Sequence, residues 1–442
     1  MTTLLWLRRD LRLDDQRTLA EAARDPRLLP VFCLAPDPAD GPGGLPRRGP
    51  HRDRFLRETL RALGDALRAR GSDLLVVEAA PEQALPDLCR CFAVDRVVVG
   101  REPGSEESDQ VARLATLLPC PLREIEEGGL LDAAALPFAV DALPDTFSAF
   151  RRQVESHARV EPPRPAPSRL PPVPAGARGT AVAPGPAGHD PRAVMVFRGG
   201  EAAGQRHLHT YLWRWRALRH YKATRNGLLR ADDSSKLSPW LASGALSARR
   251  VYHETLRFEA LHGGDDNTYW LRFELLWREY FRWVLYRHGG ALFRRRGLRD
   301  QPPACRPDDA RWRAWRDGRT GVPLIDAGLR ELSATGFVSN RLRQNLASFL
   351  VHELAQDWRL GAAWFEACLI DYDPASNWGN WAYLAGVGND PRGHRWFNVL
   401  SQAERYDPHG DYVARWLPER AALPADRRHR PERPLVAPWT RP

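Results

Sequence analysis

Lysine is almost absent from this sequence of 442 residues, because only Lys222 and Lys236 occur and 63 of the 65 Lys and Arg residues are therefore Arg. A codon-biased genome accounts for that preference, so the abundance of Arg does not by itself indicate binding of phosphate. The net charge of +10 still counts, and it favours an acidic partner, most simply a nucleic acid. The length suits two or three domains.

The sequence also lacks the patterns of a secreted, membrane or zinc protein. No apolar run reaches the length of a membrane helix, and the N-terminus "MTTLLWLRRDLRLDD" is too short and too charged to be a signal peptide. The six cysteines include no Cys-x-x-Cys pair, and Cys89 and Cys91 have no second pair to complete a zinc site. We therefore predict a reduced, cytoplasmic protein without structural metal.

Short β-rich runs alternate with helical patterns in the first 135 residues. Strands are predicted at 4–7, 28–34, 73–79 and 95–100, and helices at 51–70 and 81–92. Such alternation is typical of a parallel sheet with helices on both faces, so we predict an α/β domain over 1–135. No Gly-x-Gly-x-x-Gly follows the first strand, which excludes the usual dinucleotide site there.

The pattern changes sharply after this domain. Residues 160–192 are dominated by Pro, Ala and Gly, which predicts an extended connector that forms neither helix nor core. We place this connector inside an interdomain linker over 136–197. Strand signals nearly vanish after it and amphipathic helices take over, which predicts an all-α domain over 198–420 and a C-terminal tail over 421–442.

One predicted helix, over 267–288, carries an aromatic stripe whose members recur at three- and four-residue steps: Trp270, Phe273, Trp277, Tyr280, Phe281 and Val284. Glu274 lies on or beside this stripe. A surface ion pair with Arg278 is one interpretation, and it is the commoner outcome for such spacing. The other is a carboxyl group inside an aromatic pocket, where it can hydrogen-bond to a flat molecule that stacks on Trp277.

A second polar cluster lies just before a predicted helix. Ser234, Ser235 and Ser238 surround Lys236 and precede a Pro that can open the helix. Hydroxyl groups, backbone N–H groups and an ammonium group at a helix start form a cradle for phosphate. Ordinary N-capping by Ser is the alternative interpretation.

The stretch "DYDPASNWGNWAYLAGVGNDP", residues 371–391, combines two acids, an amide, indoles and glycines. A core seldom needs such a mixture, since acids and indole N–H groups resist burial without partners. Arg341 and Arg343 stand near the start of an apolar helix, and a buried Arg there needs a carboxylate. Asp371 and Asp373 are the candidates.

Together these segments resemble the photolyase/cryptochrome family. The resemblance rests on "YKATRNGLL", "SSKLSPWLASGALS", "FELLWREYFR", "TGVPLIDAGLRELSATGFVSNRLRQNLASFL", "DWRLGAAWFE" and the stretch over 371–391. It extends from "LLWLRRDLRLDD" to about "YVARWLPE". Within the family the sequence resembles the DASH cryptochromes, on the basis of Gln344, Tyr383 and "GVGNDPRGHRWFN".

The resemblance implies a fold and a reaction. The N-terminal α/β domain should contain a Rossmann-like parallel sheet of five strands and bind an antenna pigment, and the all-α domain should bind FAD. The reaction is the splitting of cyclobutane pyrimidine dimers by an electron from excited reduced FAD, preferentially in single-stranded DNA. The alternatives are an ordinary duplex-acting photolyase, a blue-light signalling cryptochrome with little repair, and a nucleic-acid-binding module that has lost flavin.

The family's functional residues transfer by motif. The implied FAD contacts are Tyr221, Ser234, Ser235, Lys236, Leu237, Ser238, Arg278, Arg343, Asp371, Asp373 and Asn377. Within this set Arg343 should pair with Asp371, and Asn377 should face the flavin N5. The implied catalytic residues are Glu274, which hydrogen-bonds the dimer, Trp277, which stacks on a base, and Asn377. The implied DNA contacts are Arg225, Glu274, Trp277, Asn340, Tyr383 and Gln402.

The electron-transfer chain of the family departs from its pattern here. Two of its three Trp are present as Trp381, nearest the flavin, and Trp358, but the third position is Cys305. A thiol is a poor substitute for an indole in electron hopping. We therefore predict that photoreduction of oxidised FAD is slow and that the Cys305→Trp variant restores a fast rate. Trp312 is the nearest aromatic residue in the sequence that can replace it.

The antenna implied by the resemblance is methenyltetrahydrofolate. Glu106 matches the glutamate that contacts the pterin, with a helix-capping acid after Ser105 as the alternative. Arg294 stands in for a Lys that some relatives use. We expect a monomer whose partner is single-stranded DNA with pyrimidine dimers, with RNA as a second candidate, and no membrane.

Overall fold

The computed structural model describes residues 1–36, 42–186, 188–390 and 395–436. Six residues of the predicted tail, 437–442, and part of "GVGNDPRGHRWFN", 391–394, therefore lie outside the described residues. The strands are β1 (Thr2–Leu7), β2 (Arg27–Cys33), β3 (Leu75–Val77), β4 (Arg96–Arg101) and β5 (Leu122–Glu126). The α-helices are α1 (Arg17–Ala22), α2 (Pro50–Arg68), α3 (Pro81–Cys91), α4 (Ser105–Leu117), α5 (Phe147–His157), α6 (Glu201–His209), α7 (Tyr221–Thr224), α8 (Ser238–Ser243), α9 (Ala248–His262), α10 (Asp266–His288), α11 (Asp309–Arg316), α12 (Pro323–Thr335), α13 (Asn340–Ser348), α14 (Trp358–Cys368), α15 (Pro374–Leu384), α16 (Val399–Tyr406), α17 (Asp411–Trp416) and α18 (Ala425–Arg428).

The five strands form one parallel sheet in the order β3-β2-β1-β4-β5. All six residues of β1 are buried, because this central strand is covered on both faces. Leu5 and Leu7 point to one face, where α1 and α2 pack, and Leu4 and Trp6 point to the other, where α3 and α4 pack. The predicted α/β fold with helices on both faces is confirmed.

The Pro-rich connector over 160–192 contains no helix or strand among its described residues, but the prediction that it forms no core is wrong. Leu170 is 3% exposed and packs into the core between α2 and the sheet. Its N–H donates to the carbonyl of Arg70 at 2.8 Å, and the Thr180 N–H donates to the carbonyl of Leu74 at 3.1 Å. An extended chain can bond to exposed backbone groups in this way and still bury one apolar side chain.

The second half of the chain is helical, as predicted, and its helices surround one large core. Its central helix, α10, packs against α5, α7, α9 and α15. A capping box begins α10, because the Asp265 carboxylate accepts from the Thr268 N–H while the Thr268 hydroxyl accepts from the Asp265 N–H, each at 3.0 Å. The helix α5, inside the segment predicted as linker, buries Phe147 and Phe150 in this core.

Charged contacts join the two halves. Asp15 is buried beside Arg249, with Oδ2 and Nε 2.9 Å apart, and Asp14 pairs with Arg250 at 2.7 Å. Gly244 ends α8 with φ +69°, and a Cβ atom there would lie 1.8 Å from the carbonyl oxygen of Arg9. A side chain at this position would therefore push the halves apart.

No helix in the described ranges combines the length and the apolar character needed to cross a membrane. The same ranges contain no group of three or more His, Cys, Asp or Glu side chains arranged to hold a metal ion.

Candidate active site in the helical half

A cavity of about 530 Å³ opens in the helical half, and we call it the helical cavity. Its walls come from α7, the segment before α8, and helices α10, α13 and α15. Most of the site residues predicted from the sequence line it: Tyr221, Arg225, Ser234, Ser235, Lys236, Leu237, Ser238, Glu274, Trp277, Arg278, Asn340, Arg343, Asp371, Asp373 and Tyr383. Residues far apart in the chain therefore meet around one space large enough for a cofactor.

Of the residues predicted to contact FAD or DNA, Asn377 and Gln402 do not line this cavity. Asn377 is buried on α15, and its side-chain Nδ2 donates to the carbonyl of Ala362 at 3.0 Å. Gln402 is half-buried on α16, and its buried Oε1 has no hydrogen-bond partner in the described part of the chain. The roles assigned to both residues stay predictions.

The predicted pair of Arg343 and Asp371 is confirmed. Arg343 Nη2 lies 2.8 Å from Asp371 Oδ2, and the Asp371 side chain is 1% exposed. Its second oxygen, Oδ1, is buried without a hydrogen-bond partner in the described residues. A buried acceptor left unpaired costs free energy, so this atom fits a ligand that brings an N–H or O–H donor.

Asp373 begins helix α15 and carries a negative charge into the cavity wall. Its carboxylate accepts from the Ser376 N–H at 2.7 Å. Burial alone would raise the pKa of Asp373, but the positive charges of Arg278 and Arg282 and the Ser376 hydrogen bond outweigh it and lower the pKa. Asp373 therefore stays ionised and can accept further hydrogen bonds from a ligand.

Glu274 pairs with Arg225 rather than with Arg278. Its Oε1 lies 2.7 Å from Arg225 Nη1 and accepts from Trp270 Nε1 at 3.0 Å. The Arg278 guanidinium instead donates to the carbonyl of Gly128 at 2.9 Å. The carboxyl group therefore lies in an aromatic pocket, and of the two interpretations of this helix the ion pair with Arg278 is wrong.

The surroundings of Glu274 raise the pKa of its carboxyl group. Its side chain is 27% exposed, and burial raises the pKa of this carboxyl group, while the Arg225 charge and the Trp270 hydrogen bond act in the opposite direction. A carboxyl group with a raised pKa can donate a hydrogen bond as well as accept one. This suits a group that must stabilise charge on a bound molecule.

Trp277 presents one face to the cavity because the other is covered. Phe147 stacks on it with ring centroids 3.7 Å apart and an interplanar angle of 13°, and Tyr383 meets it edge to face at 5.6 Å. Arg395, which sequence reasoning missed, donates from Nη2 to the Tyr383 hydroxyl at 2.8 Å and also lines the cavity. Phe147 was missed too, since it lies in the predicted linker.

Lys236 also lines the helical cavity, just before α8. Its Nζ donates to the carbonyl of Arg230 at 2.9 Å, and its backbone has φ +48°. Burial lowers the pKa of Lys236 to about 8. An anionic group that entered beside this ammonium would stabilise its charged form.

The predicted electron-transfer residues are not among those that line the helical cavity. Trp381 and Trp358 are both buried, and Trp358 Nε1 donates to the carbonyl of Arg295 at 2.9 Å. Cys305 is half-buried, and burial raises the pKa of its thiol. The charges of Arg295 and Asp357 also act on this thiol, so Cys305 lies near the start of α14, where Trp358 stands.

A second cavity, of about 680 Å³, lies between the sheet and the helical half. We call it the arginine cavity after five of its lining residues, Arg8, Arg9, Arg47, Arg48 and Arg52. Sequence reasoning missed all five and found only Glu106, which also lines it. Arg47 holds the Glu106 carboxylate with two hydrogen bonds, at 2.7 and 3.0 Å. Arg294 is exposed and is not among the lining residues, so the structure does not support its assignment to the antenna.

The arginine cavity has unpaired polar atoms and an aromatic wall. Arg52 Nη1 and Glu366 Oε2 are buried without hydrogen-bond partners among the described residues, and burial lowers the pKa of Arg52 to about 10. Tyr372 and Trp378 supply flat surfaces. A flat molecule with both donors and carboxylate or phosphate groups matches these walls.

Comparisons with known proteins agree with the geometry of both halves. A family model described as DNA photolyase matches residues 3–168, and one described as the FAD binding domain of DNA photolyase matches residues 270–440. A curated relative from Gloeobacter violaceus, Cryptochrome DASH, is 47% identical over 441 residues, which cover 97% of this chain and 88% of that protein.

Solved structures extend the likeness to the whole fold. The cryptochrome of Synechocystis has a TM-score of 0.92 and 42% identity, with 97% of this chain and 91% of that chain covered. An archaeal photolyase from Sulfolobus tokodaii has a TM-score of 0.80 and 26% identity, with 99% of this chain and 97% of that chain covered. That photolyase was solved with two FAD molecules, with the implication of a novel light-harvesting cofactor.

Proposed function

The chain belongs to the photolyase/cryptochrome family of FAD-binding proteins, and from this premise we propose that it is a blue-light-driven enzyme that splits cyclobutane pyrimidine dimers, preferentially in single-stranded DNA. The observation that carries the proposal is the position of Glu274 beside Trp277 in the wall of the helical cavity. A hydrogen-bonding carboxyl group and a stacking surface are the two features that a flipped-out pyrimidine dimer needs.

The other walls of the helical cavity fit FAD. The unpaired Asp371 Oδ1 suits a donor of the flavin or its ribityl chain, and Arg343 fixes that carboxylate in place. Lys236 and the serines before α8 suit the phosphates. Bound FAD would supply the electron for the reaction when light excites its reduced form.

Around the dimer, the protein's own groups orient the substrate and stabilise charge. Glu274, held by Arg225 and Trp270, donates or accepts a hydrogen bond at the pyrimidine carbonyl where negative charge develops. Trp277 stacks on one base and is itself held flat by Phe147. Tyr383 closes the pocket at right angles to Trp277, which helps to exclude water.

Two general arguments support DNA as the partner and single strands as the preferred form. The net charge of +10 favours a polyanion, and Arg341 and Arg395 join Arg225 at the cavity. Extruding a dimer from a duplex costs roughly a few kcal/mol, and less is needed in a single strand. We assign Asn340 and Gln402 as further contacts to the strand.

The test compares repair of one thymine dimer in a single-stranded oligonucleotide and in its duplex, at the same salt and light dose. We expect faster repair of the single strand and binding that weakens steeply with salt, since phosphate contacts release counterions. Equal repair of both forms would favour an ordinary duplex-acting photolyase. Light-induced flavin changes without repair of either form would favour a signalling cryptochrome.

We further propose that the arginine cavity holds the antenna pigment, a folate of the methenyltetrahydrofolate type. The carboxylates of its glutamate tail suit the arginines, and Glu106 and Glu366 offer acceptors to its pterin N–H groups. Extraction of the purified protein should release a near-ultraviolet pterin chromophore besides FAD. Release of FAD at two molecules per chain, with no pterin, would contradict the folate and favour a second flavin.

A further inference from the structure

A row of indole rings leads from the helix beside the helical cavity to the outside of the protein. Trp381 on α15 meets Trp315 on α11 with ring centroids 6.3 Å apart and an angle of 76°. Trp315 stacks on Trp312 of the same helix at 5.6 Å and 23°. Phe365 bridges the first step, at 5.0 Å from Trp381 and 6.5 Å from Trp315. We call Trp381, Trp315 and Trp312 the α11 row.

The two ends of the α11 row differ in exposure. Electrons can enter only at a ring that solvent reaches, and Trp312 is the more exposed end. Trp381 and Trp315 are buried, and Trp315 is fixed because its Nε1 donates to the carbonyl of Leu346 at 3.2 Å. Trp312 is half-buried, and no described residue accepts a hydrogen bond from its Nε1. An oxidised Trp312 can therefore release its indole proton to water and meet a reductant from solution.

The branch implied by the family motif ends less favourably. The Trp358 ring contacts Trp378 at 5.7 Å, but the position expected to carry electrons onward is Cys305. Its thiol offers no ring to hold a hole, and burial raises its pKa. Of the two branches, only the α11 row continues through indole rings to a half-exposed one.

We propose that electrons reach bound FAD along Trp312, Trp315 and Trp381, so that the α11 row takes over from the branch through Trp358 and Cys305. This inference rests on the FAD chemistry proposed above. With FAD bound, Trp381 would give one electron to the light-excited oxidised flavin, and the hole would move to Trp315 and then to Trp312. Trp312 loses its N–H proton to water, and a thiol in solution returns one electron and one proton to it.

The experiment uses the FAD-loaded full chain, illuminated with a thiol reductant, and follows Trp radicals by transient absorption and paramagnetic resonance. Trp312→Phe should lower the yield of the long-lived Trp radical, and the rate of flavin bleaching, by about tenfold, because charge recombines before it reaches solvent. Trp358→Phe and Cys305→Trp should change both by less than about twofold. The family motif alone predicts the reverse, namely restoration by Cys305→Trp.

Trp364→Phe is the matched control, since Trp364 is also half-buried near α11 but is not in the row. It should behave as the natural protein, and all variants should keep equal FAD content. The proposal is overturned if Trp312→Phe keeps the radical yield, if Trp358→Phe removes it, or if the natural protein forms no Trp radical. Repair by chemically reduced enzyme is measured in parallel. Absence of repair would refute the proposed function but would not contradict electron transfer along the α11 row.

Discussion

The helical cavity and the arginine cavity differ in what builds them. The walls of the helical cavity come from helices and helix starts, so its residues are fixed by long motifs with a regular period. The arginine cavity gathers Arg8 and Arg9 from the end of β1, Arg47 and Arg48 from the segment before α2, and Arg52 from α2 itself. On its other side stand residues of the helical half. Its lining exists only once the two halves pack.

Both cavities carry more cations than acids, with six Arg and Lys to three acids in the helical cavity and six Arg to four acids in the arginine cavity. Close ion pairs occur in each, as in Arg343 with Asp371 and Arg47 with Glu106. The arginine cavity differs in that Arg52 Nη1 is buried without a hydrogen-bond partner among the described residues. This donor suits an acceptor group of an anionic ligand.

The largest expected effect comes from breaking the pair at the centre of the helical cavity. Arg343→Ala leaves the Asp371 carboxylate buried without its partner, which should lower the free energy of unfolding by about 3 kcal/mol and reduce FAD content. Thermal melting and the ratio of FAD to protein measure both. Arg313→Ala, which removes an exposed pair with Asp309, should cost less than about 0.5 kcal/mol. Equal losses in the two variants would contradict the role given to Asp371.

The next effect concerns catalysis alone. Glu274→Ala should keep FAD bound and lower dimer splitting by about tenfold or more, because a polar contact to developing charge is lost. Turnover of single-stranded dimer substrate under saturating light measures it. Glu254→Ala is the control, since Glu254 also accepts from a Trp indole, at 3.3 Å, but lies outside the cavity lining. Unchanged turnover in Glu274→Ala would remove Glu274 from the mechanism.

Much of the helical cavity could be predicted from the sequence, because helical period places Glu274 beside Trp277 and a buried Arg343 demands an acid. The ion pair of Glu274 with Arg225 could not be predicted from the sequence, since Arg225 lies 49 positions away and no local pattern links the two residues. The contact of Phe147 with Trp277 could not be predicted for the same reason. The burial of Leu170 could not be predicted because a single apolar residue in a Pro-rich segment forms no periodic pattern. Pairings across the chain depend on the packed fold.

The arginine cavity allows a direct comparison of an antenna residue found in the structure, Arg47, with one assigned from the sequence, Arg294. Arg47→Ala removes the two hydrogen bonds to Glu106 and should lower the antenna content of the purified protein severalfold while FAD content stays constant. Arg294→Ala should change neither pigment, because Arg294 is exposed outside the cavity. Loss of antenna in Arg294→Ala with none in Arg47→Ala would restore the assignment made from the sequence.

The smallest expected effect is a pH dependence of FAD binding. Burial lowers the pKa of Lys236 to about 8, so its ammonium is present at pH 7 and largely neutral at pH 9. Phosphates favour the charged form, so FAD affinity should fall about threefold or more between these pH values. Fluorescence titration of flavin-free protein measures it. Lys236→Gln should flatten this fall, whereas Lys222→Gln, at the other lysine, should leave it as it is. If FAD affinity still falls between pH 7 and pH 9 in Lys236→Gln, titration of Lys236 is not its cause.

The central claim is that the helical cavity uses FAD and light to split a pyrimidine dimer. It is tested most directly with protein that has been freed of flavin, reloaded with FAD and chemically reduced, then mixed with a single-stranded oligonucleotide that carries one thymine dimer. We predict that the ultraviolet absorbance of the separate pyrimidines returns under blue light, and that it returns neither in darkness nor with the flavin-free protein. If the reduced, FAD-loaded protein binds the oligonucleotide and no absorbance returns under blue light, the account is wrong.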